Sequence, residues 1–228
     1  MILDAFKFTN NLFSNHFTKF LVIVFPVYVI IFLVYLQFSS IPGNEFGTTT
    51  SSYYQEFIVN LLSLYSVILS ILLIDDIYKD RKKSISNYLY LGAYLFFKIL
   101  LINLITAFAI VLGIFLLILP GLYISGRLLF ASYIAVIFNE GIVDSLKKSI
   151  EITVGKGWRV LGYLLAAVIP LILIMIIVLA GPAVFLFEKN INAYMALTFS
   201  SSFFITVYIT IYSYRLLINL IETSDESI

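Results

Sequence analysis

Three carboxylates raise the first chemical question. Asp75 and Asp76 are adjacent and Asp80 follows closely; aspartates grouped in this way hold Mg²⁺ for a diphosphate substrate, because a hard cation takes oxygen ligands. No second acidic cluster completes such a centre, and Lys79, Arg81, Lys82 and Lys83 stand beside the first. The group therefore reads as a solvated loop between apolar segments. His16 is the only histidine and cysteine is absent, so a zinc site of the usual ligand set cannot be built, and thiol chemistry and disulfides are excluded. A Ser-His-acid arrangement is equally unsupported, since the acids nearest His16 are scattered. No catalytic residue, cofactor or metal centre is expected.

Arg127 is the sharpest remaining candidate, because it lies inside an apolar run. A charge at mid-bilayer costs about 2.5–3.5 kcal/mol on insertion scales, so it needs a partner or a way out. Two accounts stand side by side. In one, the long stem snorkels to outer-leaflet phosphates; in the other, the guanidinium faces the bundle and meets backbone carbonyls freed at a nearby break or a polar ligand.

The elements that would hold these residues are apolar helices. Hydrophobic residues make up 61% of the 228 and charged ones 12%, far from the balance of a soluble domain. Six runs are long enough to cross a bilayer, at about 20–38, 57–74, 98–119, 122–138, 160–180 and 197–221. They leave no room for a separate soluble domain, so residues 1–228 read as a single integral membrane domain. Pro120-Gly121 is expected to make the tight turn between the third and fourth spans, and Gly181-Pro182 to end the fifth. Two amphipathic segments, 2–19 and 141–154, read as interfacial helices. Ile2, Phe6, Phe13, Phe17 and Phe20 line the first, and Ile142, Val143, Leu146, Ile150 and Val154 the second. Their apolar faces should meet acyl chains, and lysines such as Lys147 and Lys148 anionic headgroups.

Cations alternate between the gaps. Eleven of the fourteen Lys and Arg residues fall on one side, from Lys7 and Lys19 through the 79–83 and 147–159 segments to Arg215. Lys189 is alone opposite, and Lys98 and Arg127 lie within runs. The positive-inside rule then makes both termini cytoplasmic. A net charge of +1 gives no reason to expect nucleic acid. The lipid bilayer is the expected partner, through anionic headgroups on the cytoplasmic side; protein partners are unknown. The spans contain no Asp, Glu or His, which argues against ion coupling. Small residues four apart, Ala109/Gly113, Gly121/Ser125 and Gly162/Ala166, suit close helix packing.

An offset of 140 positions lays Asp4 and Lys7 on Asp144 and Lys147, Lys19 on Arg159, and 57–74 on 197–214. That suggests two parallel units flanking the central pair of spans.

The stretch ILPGLYISGRLLFASYIAVIFNEGIVDSLKKSIEITVGKGWRVLGYLL, residues 118–165, resembles the signature region of the YciC-like bacterial inner-membrane proteins. It is also similar to the membrane domain attached to some glycerophosphodiester phosphodiesterases. The shared pattern is a Pro-Gly turn (Pro120, Gly121), an Arg in the next span (Arg127), a basic pair (Lys147, Lys148) and an aromatic-Arg step (Trp158, Arg159). The resemblance implies an all-α, six-helix bacterial inner-membrane protein without an assigned activity. Arg127, Lys147, Lys148, Trp158 and Arg159 are the candidate ligand or lipid-binding residues. A non-enzymatic, lipid-associated scaffold or sensor is the leading expectation; a small transporter or channel for a lipid or amphipathic solute is second, and a lipid-modifying enzyme third.

Overall fold

The computed structural model describes residues 1–39, 50–189 and 191–225. Among the described residues it is helical and has no strand: α1 Ile2–Ile23, α2 Phe25–Ser39, α3 Thr50–Tyr78, α4 Ile85–Leu116, α5 Ile118–Leu128, α6 Ala131–Ile137, α7 Ile142–Ile152, α8 Gly157–Lys189 and α9 Ile191–Asp225. Five segments are long and apolar enough to cross a membrane, or six if the bent pair α1 and α2, 50° apart, counts as one. The chain is thus a membrane-embedded all-helical protein. Most of the cation-free linker between the first two expected spans lies outside the described residues.

Several boundaries differ from the expected ones. The reversal after α4 falls at Leu117, which is extended at φ −163°, ψ 144°, and not at Pro120-Gly121. Pro120 sits in the first turn of α5, where its missing N–H removes no intrahelical bond. Gly121 serves packing instead: a Cβ placed on Gly113 would lie 2.7 Å from the Gly121 Cα. The hairpin keeps one register along its length, with Asn103 accepting from Ser132 at 2.9 Å and Lys98 donating to Asn139 at 2.9 Å. Helix α8 continues through Gly181 and Pro182 to Lys189; in an apolar surrounding one lost bond costs less than abandoning the ladder. The segment before α2 is also longer than expected, since α1 runs to Ile23 before the chain bends at Val24.

Helix association in lipid has no hydrophobic driving force, so contact quality decides it. The phenylalanine stripe of α1 packs on α9 and does not face outward as expected: Phe6 meets Tyr212, Phe13 meets Phe204 and Tyr208, and Phe17 stacks on Phe204 with rings 8° from parallel. Each such pair adds about 0.5–1.5 kcal/mol beyond area burial. Arg215 and Asn219 both donate to the Asp4 carboxylate, at 2.9 and 3.1 Å, so the start of α1 is pinned to the end of α9. Helices α3 and α9 pack in parallel. Ser66 and Thr206 both approach the Tyr28 hydroxyl, and Tyr214 donates to Asp75 at 3.0 Å.

Candidate functional site

The α5–α6 break leaves the Arg127 backbone carbonyl without the amide four residues on that would normally reach it. Helix α7 supplies the donor: Ser149 Oγ donates to Arg127 O at 2.8 Å. The guanidinium answers in the other direction. Its Nη2 donates to Ile150 O in the last turn of α7 at 2.8 Å, its Nε to Thr153 Oγ1 at 3.1 Å, and its Nη1 to the Tyr123 hydroxyl at 3.0 Å. A cation at a helix C-terminus is also favoured by the macrodipole. Arg127 therefore ties α5 to the α7–α8 connection. Neither sequence-based account described this partner: the carbonyl is that of α7, and the guanidinium points to the segment carrying Lys156 and Arg159.

This clamp explains a face of α7 that the sequence reading passed over. Ser145, Ser149 and Thr153, four residues apart, are buried, while Val143, Ile150 and Val154 are exposed. The buried positions are hydroxylic; Ile142 and Leu146 flank them and pack on the core, while Val143, Ile150 and Val154 point away. The signal of the hydroxyl stripe was present in the sequence as the i, i+4, i+8 spacing of small hydroxyl residues, which α1 shares in part, burying Ala5 and Thr9 at the 140-residue offset.

The remaining candidates separate. Lys147 is exposed, whereas Lys148 reaches Glu140 at 3.2 Å and lies 4.4 Å from the Phe138 ring centroid. Trp158 is half exposed and packs against Tyr123 at 5.9 Å between centroids. Arg159 is exposed. Gly126 and Gly157 let α5 and α8 approach closely, since a Cβ on Gly126 would lie 2.4 Å from Gly157 O, while a Cβ on Gly162 would meet nothing within 4 Å, so Gly162 is not the packing residue its spacing suggested. Lys98 leaves its apolar run to donate to Asn139 and to Glu140 O, at 2.9 and 3.2 Å.

The Asp75-Asp76 group is not a solvated loop. Asp75 is 4% and Asp76 0% exposed, in the final turns of α3. A Schellman cap makes this possible: Arg81 N–H donates to Asp76 O at 2.7 Å and Asp80 N–H to Ile77 O at 3.2 Å, with Asp80 at φ +49° taking the place usually held by glycine. The reversal folds the basic run back over the carboxylates. Asp75 meets Lys79 at 2.8 Å as well as Arg81, and Asp76 meets Arg81 Nε at 2.8 Å and Lys83 Nζ at 3.0 Å. Both carboxylates thereby face cations: Asp75 with hydrogen bonds, Asp76 at ion-pair distance without aligned ones. Among the described residues no group of three or more His, Cys, Asp or Glu side chains could hold a metal ion.

Two concave spaces accompany these groups. A cavity of about 590 Å³ between α2, α3 and α9 is lined by Tyr28, Ile31, Tyr35, Ser63, Phe199, Ser202 and their neighbours. A second, of about 390 Å³, lies between α1 and the α3–α4 turn and is lined by Thr18, Lys19, Val22, Ile77, Lys82, Ile85 and further residues including Arg81 and Lys83. The first is apolar with hydroxyl edges, and the second joins an apolar wall to a cationic rim.

No family model, no curated protein and no solved structure matches this chain.

Proposed function

We propose that the chain is a six-crossing protein of the bacterial inner membrane, of the YciC-like kind, that acts without catalysis as a lipid-associated scaffold or sensor at the cytoplasmic leaflet. The observation that carries this reading is the division of α7. Its hydroxyl stripe is committed to Arg127 and the protein, so Val143, Ile150, Val154 and Lys147 remain for the surroundings. An apolar strip beside lysines suits an anionic interface, where each cation near the surface contributes about 1 kcal/mol. The joined ends of α1 and α9 fit an even number of crossings with both termini on the cationic side. The offset-related positions of α3 and α9 support two parallel units.

The absence of cysteine allows a single probe to be introduced. Val143→Cys, labelled with an environment-sensitive fluorophore on the full chain in nanodiscs, should report an apolar surrounding in phosphatidylglycerol. Added salt, or Lys147→Gln with Lys148→Gln, should weaken it several-fold. An identical, salt-insensitive signal in phosphatidylcholine would sink the proposal. The 590 Å³ cavity favours the second reading, a small transporter for an amphipathic solute, which flux in proteoliposomes would reveal.

A further inference from the structure

The cleft between α1 and the α3–α4 turn differs from a general basic surface. Helices α1 and α4 both pack on α3 while making at most marginal contact with each other, so a gap is left over the end of α3. Its floor and walls are apolar: Leu73 is buried, and Val22 and Ile85 are about half exposed. Cations stand around it, and they divide into two sets. Arg81 and Lys83 are held by Asp75 and Asp76, which are buried and thus shielded from the opening. Lys19 and Lys82 are exposed and meet no carboxylate among the described residues. Beside them begins α4, whose N-cap Ser84 makes no side-chain cap bond; Asn87 N–H already donates to Ser84 O, so the amides of Ile85 and Ser86 remain to favour an anion. A space of about 390 Å³ falls within the range of small-ligand sites, roughly 300–1,000 Å³.

We infer that this cleft is a discrete site for one phosphate-bearing amphiphile, a membrane lipid whose phosphate sits between Lys19 and Lys82 and whose first acyl carbons run along Val22, Ile77 and Ile85. The aspartates act as positioning residues that hold Arg81 and Lys83 at the rim, so the cationic array exists before the ligand arrives. The apolar wall selects a lipid over free phosphate, because an inorganic ion would leave that wall unused. The inference rests on the membrane placement proposed above, but not on α7.

Native mass spectrometry of the full chain in neutral detergent, titrated with phosphatidylglycerol, tests it. The unaltered protein should retain one phosphatidylglycerol in preference to phosphatidylcholine. Lys19→Gln with Lys82→Gln should weaken retention tenfold or more without changing thermal stability, because neither side chain has a protein carboxylate to lose. Lys7→Gln with Lys156→Gln, which removes two cations outside the cleft, should leave it unchanged. Equal retention by the Lys19/Lys82 variant would overturn the site, as would an equal loss in the Lys7/Lys156 variant, which would mean diffuse surface attraction. Displacement of the lipid by millimolar inorganic phosphate would overturn the amphiphile and assign the site to the free ion. If the α7 probe fails while this titration succeeds, the peripheral reading of α7 falls and the cleft stands.

Discussion

Replacing Arg127 separates its role as a clamp from any role at a ligand. The side chain makes three hydrogen bonds, to Ile150 O, Thr153 Oγ1 and the Tyr123 hydroxyl. Bonds from a charged donor contribute about 1.5–3 kcal/mol each, and partial exposure of the guanidinium places them at the lower end. Thr153 Oγ1 keeps its own bond to Ser149 O at 2.6 Å, so its loss is small, whereas Ile150 O, in the last turn of α7, is left with only the long approach of the Thr153 hydroxyl at 3.3 Å. Arg127→Leu should therefore destabilise the protein by about 3–5 kcal/mol. For a chain of this size that lowers Tm by roughly 10 °C or more. Arg127→Lys keeps a cation at the end of α7 but reaches one acceptor instead of three, and should lose about half as much. Thermal unfolding of detergent-solubilised protein measures the global effect. Amide exchange over residues 150–156 measures the local one, and should accelerate in both variants. A Leu variant with unchanged Tm and unchanged exchange in this segment would refute the clamp.

Asp76→Asn removes the anion that Arg81 and Lys83 share while keeping the side chain's shape. Because both cations are partly exposed, at 47% and 29%, they can turn to water, and the cost should be about 2–3 kcal/mol, below the 3–5 of a fully buried pair; a variant as stable as the parent in thermal unfolding would contradict the buried pairing. Asp80→Gly should stabilise the chain by about 0.5–1 kcal/mol, since Asp80 occupies the left-handed region at φ +49° where glycine has no Cβ penalty, and a fall in Tm would show that Asp80 has a role other than the cap.

Much of the helical framework was legible because bilayer constraints act on single residues. An apolar run of about 20 residues is costly anywhere but in lipid or a core, and cations near its ends bias which side they occupy. The runs around 57–74, 98–119, 122–138, 160–180 and 197–221 accordingly fall within, or within a few residues of, the helices observed. Turn residues were less informative. Pro120 and Gly121 carry the signal of a reversal, but a proline is harmless in a first helical turn and a glycine is equally needed where two helices touch. Which of these uses applied depended on Gly113, eight positions earlier.

Charge was misread for the same kind of reason. Asp75 and Asp76 beside four cations look like a solvated loop when only neighbours in the chain are considered. Their burial follows from the cap at Asp80, which turns the cations back over them, and from Tyr214, 139 positions away. Arg127 was recognisable as a charge needing a partner, yet Ser149, Ile150 and Thr153 became that partner only when α7 docked at the α5–α6 break. The sequence by itself determined which segments must avoid water, because transfer free energy belongs to each side chain separately. Tertiary structure alone decided which polar groups satisfy one another, because hydrogen bonds and ion pairs require atoms within about 3 Å, a proximity set by how distant helices pack and not by local spacing.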